Sequence, residues 1–450
     1  MRVPGGSSGG TGAAVAASFA AAGMGSDTCG SIRIPAANQN LVGLRPSRGL
    51  SSRTGVMPLS DTQDVAGPLA RSVTDLALML DATVGPDPDD AVTAEGASHV
   101  PPSYRAALDA GRLKGARIGV LRTLFGTAPE DEEVGELVRK ALETMKGQGA
   151  EIVEVEVPGF DALIQDSSVI ADEFKFDLAA YLARHPGAPV TSLGEILERG
   201  LHHAQLDQTF RLRNAATERD SPHYRQAWVK RHALRAAMLA SFEGQRLDAV
   251  AYPTLRRKPA LIGEAQIGTT CQLSATTGLP AISMPAGFTA DGLPVGIELL
   301  GKAFAEADLL GLAFAWESTA HPRRAPFSTP PLVNGAAPPP VTAVTTLTGQ
   351  GGARGEVRFT YDGVTGQLRY GAATTLKPSD RVVALTLQRG DAKAPGPVVA
   401  HLLTAGQAKG GGELALRGRD RDDLVAGRLY VHLYSREFPL GAARAVVTLP

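Results

Sequence analysis

Strand, helix and strand follow one another near the middle of this chain, and that order restricts the fold more than any other feature. Residues 116–121 (ARIGVL) read as a buried strand, 132–148 as an amphipathic helix closed by Gly149, and 151–157 (EIVEVEV) as a strand alternating with period two. Such a succession argues for an α/β core with helices packed on a sheet. Neighbouring segments fit that core. Residues 74–82 (TDLALMLDA) have helical spacing with Pro86 soon after, and 160–243 read as mostly helical. Residues 248–252 (DAVAY) form a short strand ending at Pro253, while 281–284 and 295–300 are strands flanking an Asp291–Gly292 turn. Residues 11–22, rich in alanine, read as a helix of small side chains ending at Gly23.

The pattern changes after Phe327. Residues 328–340 (STPPLVNGAAPPP) are a Pro-rich linker, and beyond them seven short alternating runs recur between Gly, Asp and Pro: EVRFTY, QLRYG, RVVALTL, PVVAHLL, ELALRG, RLYVHLY and ARAVVTL. These argue for a small all-β sandwich. The expected division is 1–327, 328–342 and 343–450.

Composition bounds the function. Apolar residues make up 43% and charged residues 20%, as in soluble globular proteins that bury a large core. A net charge of -1 gives no basic face and argues against nucleic acid as a partner. The most apolar stretch, 13–22, is too short to span a bilayer, so no membrane span is expected. The opening MRVPGGSSGG lacks the basic and apolar regions of a signal peptide. Two cysteines, Cys29 and Cys271, are too few for a disulfide scaffold or zinc ribbon; they read as reduced, buried thiols, with a Cys29–Cys271 bridge as the alternative. The adjacent His202 and His203 read as a solvated helix face rather than a metal site.

Three readings compete for the Gly/Ser-rich start. GGSSGGTG lacks the Gly-Lys-Ser/Thr ending of a phosphate-binding loop. Gly6-Ser7-Ser8-Gly9-Gly10 matches the G-x-S-x-G nucleophile elbow, but that motif needs a preceding strand. A flexible turn is the third. The company the loop keeps decides among them: a small-residue helix, then GSDTCGSIRIPAANQNLVGLRPS over 25–47. Here the chain resembles the amidase signature family, which shows a GGSSGG loop, a small-residue helix and a DTGGSIRIP-like nucleophile loop. The resemblance continues through 49–85, the YPT at 252–254 and LSATTGLPAISMPAGFTADGLPVGIELLGKAFAE at 273–306, so it covers roughly residues 5–316.

The resemblance implies an α/β amidase-signature core, a mixed sheet surrounded by helices, and an amide hydrolase. Ser31 would attack the amide carbonyl to form an acyl-enzyme. Ser7, matching the family's cis-peptide serine, would bridge Ser31 to a neutral lysine whose burial lowers its pKa. Backbone N–H groups of Thr28, Cys29 and Gly30 would face the oxyanion, donors that contribute about 3–4 kcal/mol each. Ser8, Asp27 and Arg33 would support the loop, Asp27 as a brace and Arg33 as a buried ion-pair partner; Gln63 and Asp64 would be structural. The implied partner is a small-molecule amide, with no metal and no cofactor, and a homo-oligomer stays open.

Two departures stand out. The family's catalytic lysine precedes the GGSSGG loop, whereas only residues 1–4 do so here, so the expectation is an N-terminally truncated amidase with little or no activity as this chain. Cys29 stands where the family most often has glycine, a position that would be strained at positive φ. The rival readings are an A-type subunit of a glutamyl/aspartyl-tRNA amidotransferase and a non-enzymatic protein with a degenerate core. Ile34, where the amidotransferases usually carry glutamine, favours the hydrolase. Residues after about 341 resemble the chordin-type CHRD module, through 396–404 and 424–449, though 382–387 lack that pattern's histidine pair. These residues read as an accessory sandwich, and the resemblance implies an exported protein, with a cytoplasmic one as the alternative.

Overall fold

Eight strands make the sheet of the larger of two units in this computed structural model, which describes residues 2–330, 332–390 and 396–450. The larger unit runs through Thr289 and adds Pro294–Arg324; the smaller holds Ala290–Leu293 and Ala325–Pro450. The first eight strands are β1 (Ala22–Asp27), β2 (Val42–Arg45), β3 (Val65–Ala70), β4 (Arg117–Val120), β5 (Glu151–Glu154), β6 (Ala249–Pro253), β7 (Ala281–Phe288) and β8 (Pro294–Leu300). Their order is β1-β3-β2-β7-β8-β6-β4-β5. β4 runs parallel to β5 and β6, and the other pairs are antiparallel. This is the mixed α/β architecture expected.

The helix Pro129–Gly147 shows why these residues form these elements. Proline opens it, Glu130, Asp131 and Glu132 face the positive end of its dipole, and Lys146 sits in the last turn. Val134, Val138, Ala141, Leu142 and Met145, at helical spacing, are buried in the main core. β2 and β3 are buried at every residue, as a strand covered on both faces must be.

Three boundaries differ from the expectation. The first helix spans Gly9–Ala16 rather than 11–22. Ser18 adopts φ +63°, Arg71 takes the Val15 and Ala20 carbonyls, and Ala22–Asp27 pairs residue by residue with β3. Sheet pairing thus overrides the helix propensity of alanine. β5 stops at Glu154, after which Val155 and Val157 still enter the core. His202 and His203 lie in a turn, not on a helix face: His203 caps the short 3-10 helix Ala204–Leu206 and His202 meets Asp207 at 2.9 Å.

The smaller unit has strands β9 (Val341–Thr348), β10 (Arg354–Asp362), β11 (Gln367–Thr375), β12 (Val382–Arg389), β13 (Val398–Leu403), β14 (Lys409–Ala415), β15 (Leu429–Ser435) and β16 (Ala443–Val446). They form two four-stranded sheets, β14-β11-β10-β9 and β13-β12-β15-β16, around a core that includes Leu347, Val357, Phe359, Leu385, Leu387, Val431 and Leu433. β9 was not anticipated: its Thr-rich sequence hides an alternation that buries Ala343, Thr345 and Leu347. The expected strand over 413–418 ends at Ala415, and Gly418–Val425 is a helix that buries Leu424. No described helix is long and apolar enough to cross a membrane.

Candidate active site

β1 delivers Asp27, its last residue, into the interior, and the loop to Ser31 folds around this carboxylate. Asp27 Oδ1 accepts the Gly30 N–H at 2.7 Å, and Oδ2 accepts the Ile32 N–H at 3.2 Å. Arg33 reaches both oxygens, at 3.2 and 3.1 Å, and Arg45 from β2 reaches Oδ1 at 3.1 Å. Burial by itself raises the Asp27 carboxyl, but the two guanidinium groups outweigh it and hold it well below the usual range. Arg33 also pairs with Glu298 of β8, and Tyr252 of β6 donates to the same Glu298 oxygen at 2.8 Å. Burial lowers Arg33 and raises Glu298, yet Asp27 and Glu298 together hold Arg33 above its ordinary value.

A second chain of contacts holds Thr28. Its hydroxyl donates to Asp64, and its carbonyl accepts Gln63 Nε2 at 3.2 Å. Asp64 takes the Leu59 and Ser60 N–H groups at 2.8 and 3.0 Å. Gln63 Oε1 accepts Arg231 of the helix Pro222–Gly244 at 3.0 Å. Burial, with Arg45 nearby, pushes the Arg231 guanidinium down to about 10. The buried Glu173 gathers the Ser60 and Thr62 hydroxyls, the Tyr224 hydroxyl and Arg219. The turn that grips Thr28 is therefore itself gripped.

The Gly/Ser loop lies beside this structure. The Ser8 N–H donates to the Ser31 carbonyl at 3.0 Å, and Ser8 Oγ exchanges hydrogen bonds with the Ser26 backbone at 3.3 Å. The Gly6–Ser7 peptide bond is cis. Ser7 is exposed and Ser31 half-buried. Among the described residues neither hydroxyl makes a hydrogen bond, so the expected Ser7–Ser31 bridge is not formed here. Of the three amides expected at the oxyanion position, Gly30 has given its N–H to Asp27; those of Thr28 and Cys29 make no hydrogen bond. The left-handed backbone falls on Gly30 (φ +86°), not on Cys29, so the anticipated strain at cysteine does not arise. Cys29 and Cys271 are joined in a disulfide with Cα atoms 5.1 Å apart, which replaces the reading of two reduced thiols. No group of three or more His, Cys, Asp or Glu that could hold a metal occurs among the described residues.

Arg45, Glu298, Tyr252 and Arg231 were not singled out from sequence. A usable signal exists for two of them: Arg45 and Glu298 are lone charges within apolar runs, LVGLRP and VGIELL, and a charge placed there must find a buried partner.

The profile of the family described as Amidase matches residues 1–310. The chain belongs to the amidase signature family. It is 34% identical to the A-type subunit of a glutamyl-tRNA(Gln) amidotransferase from Synechococcus sp. (strain JA-2-3B'a(2-13)), over 74% of this chain and 67% of that protein. It is 36% identical to the protein of the same name from Moorella thermoacetica, over 72% and 69%. Among solved structures it is similar to the peptide amidase of Stenotrophomonas maltophilia, with TM-score 0.64 and 34% identity over 72% of this chain and 67% of that one. A bacterial aryl acylamidase of the amidase signature family gives TM-score 0.58 and 27% identity over 70% and 65%. The chain thus spans about two-thirds of the length of these relatives. The expectation that nucleic acid plays no part finds no support in them, since the curated relatives are named for a tRNA amidotransferase.

Proposed function

We propose that this chain carries the nucleophile of an amidase that hydrolyses a carboxylic amide through a Ser31 acyl-enzyme. The observation that carries the reading is the braced loop: Asp27, Gln63 and Asp64 hold the backbone on the N-terminal side of Ser31 while its hydroxyl stays unbonded. Ser31 Oγ would bond to the carbonyl carbon, its proton leaving through Ser7 toward a base. The Thr28 and Cys29 N–H groups would meet the negative oxygen. Collapse expels the amine with a proton, and water then cleaves the ester to regenerate Ser31. By family resemblance the base is a lysine. The described lysines do not hydrogen-bond either serine, and Lys175 and Lys230 are committed to backbone carbonyls. The smaller unit is read as an accessory module of CHRD type.

A second reading, an A-type amidotransferase component, is favoured by the names of the curated relatives. Ile34 argues for the hydrolase. Fluorophosphonate labelling tests the nucleophile: slow labelling lost in Ser31→Ala supports it, and labelling that persists in that variant removes Ser31 from the role. Release of ammonia from glutamine only in the presence of partner proteins and tRNA would favour the amidotransferase.

A further inference from the structure

The loop that carries Ser31 is tied in two ways. Hydrogen bonds from Asp27, Gln63 and Asp64 hold one side, and a covalent bond from Cys29 to Cys271, 242 residues away, holds the other. These are the chain's only cysteines. Cys271 immediately precedes the helix Gln272–Thr277, and its carbonyl accepts Arg33 Nη2 at 3.3 Å. Gly30 lies directly on it: a Cβ built at Gly30 would stand 2.9 Å from Cys271 Cβ. Cys29 and Gly30, consecutive residues, are thus both held against the turn before that helix. Cys29 is half-buried, whereas Cys271 is only 8% exposed, so Cys29 is the residue of the pair nearer to a thiol arriving from solvent.

We propose that Cys29–Cys271 is a redox-sensitive lock on the nucleophile loop, closed when oxidised and released by a dithiol reductant. A reductant thiolate attacks Cys29 Sγ; the S–S bond breaks and Cys271 leaves as a thiolate that takes up a proton. The second reductant thiol then displaces Cys29 from the mixed disulfide. The protein gains two electrons and two protons, and the reductant leaves as its own disulfide. Two thiols cannot occupy the space of one S–S bond, because unbonded sulfurs require van der Waals separation. Once the sulfurs separate, the covalent restraint is gone, and residues 28–30 are held by hydrogen bonds alone, among them those to Asp27, Gln63 and Asp64. The Thr28 and Cys29 amides belong to the segment so loosened. What release does to catalysis rests on the reading of Ser31 as nucleophile; the release itself does not.

Hydrogen exchange on the full chain, purified without reductant and compared before and after dithiothreitol, tests the lock. Alkylation and mass measurement report the thiols. The expected result is no alkylation before reduction and two sites after it. Peptides covering 27–33 and 270–277 should exchange at least about tenfold faster on reduction, while those of β10 and β11 stay unchanged. Cys29→Ser should show the fast pattern with or without dithiothreitol. Free thiols in the untreated protein, equal exchange in both states, slow exchange in Cys29→Ser, or acceleration throughout the chain would each overturn the proposal. Exchange does not depend on turnover, so failure of fluorophosphonate labelling bears on Ser31 alone.

Discussion

Both units bury polar side chains against a sheet, but they bury different kinds. In the larger unit Asp27, Arg33, Arg45 and Glu298 are each at most 1% exposed and form one ionic cluster around the loop that carries Ser31. In the smaller unit the buried polar groups of β12 and β15 are uncharged: Thr386, Gln388, Tyr430 and His432. Gln388 Nε2 donates to Tyr434 Oη at 2.8 Å and to Thr386 Oγ1 at 3.0 Å, Tyr430 donates to Gln388 Oε1, and His432 packs at a tilt of 41° on Tyr434 with centroids 4.2 Å apart. The carboxylate of Asp423 in that unit meets Arg389, Arg419 and Arg428, all at least 30% exposed. Buried charge adds little net stability, because desolvation offsets the attraction, but it fixes geometry sharply. The loop around Asp27 is held by such charges. The buried groups of β12 and β15 are satisfied instead by neutral hydrogen bonds.

The largest expected effect is therefore in the larger unit. Asp27→Ala leaves two buried arginines short of a partner and should cost about 3–5 kcal/mol in urea unfolding. Both tryptophans, Trp228 and Trp316, lie in this unit, so their fluorescence follows it. A loss below about 1 kcal/mol would break the contrast, since rim ion pairs are worth that little. Gln388→Ala should cost about 1–3 kcal/mol, because the buried Tyr430 hydroxyl loses Gln388 Oε1 as an acceptor and Thr386 and Tyr434 lose its amide as a donor. A cost equal to that of Asp27→Ala would show that charge is not what separates the units.

The smallest effects are in pH, and they run in opposite directions. Burial, with Arg444 adding to it, pushes His432 down to about 4. The unfolded chain then binds the proton first, so this contribution is complete above the ordinary value of 6.5 and is lost as pH falls toward about 4. Wild type and His432→Gln should melt closely together near neutrality, and the wild type should fall below the variant as pH drops from 6.5 toward about 4. Burial raises Glu317, which accepts the Val73 N–H, to about 7. Here the folded chain holds the proton more tightly, so the contribution is complete below the ordinary value of 4.5 and is lost as pH rises through about 7. Glu317→Gln should raise the melting temperature at pH 8 more than at pH 5, read by tryptophan fluorescence. Parallel pH slopes for the two variants would remove the distinction.

Local pattern alone determined much of this protein. The helix Pro129–Gly147 and the strands on either side of it follow from periodicity and end signals, because both act within a few residues. GSSGG and DTCGSIRIP are contiguous, so the family and its serines could be read before any contact was known. Where elements needed a distant partner, the reading stopped short. The alanine-rich stretch 11–22 reads as one helix, yet the helix ends at Ala16, and the glycine-containing Ala22–Asp27 becomes β1 because β3 lies beside it. Thr-rich β9 is recognisable only once β10 pairs with it and its alternate residues enter a core. The site divides in the same way. Ser31 stands in a motif, but the groups that hold its loop come from β2, β6, β8 and the helix Pro222–Gly244, and the cysteine that binds Cys29 lies 242 residues on. Residue type can announce that a buried charge or a thiol needs a partner. Which partner it finds is set by strand order and chain crossing, and only the tertiary structure decides that.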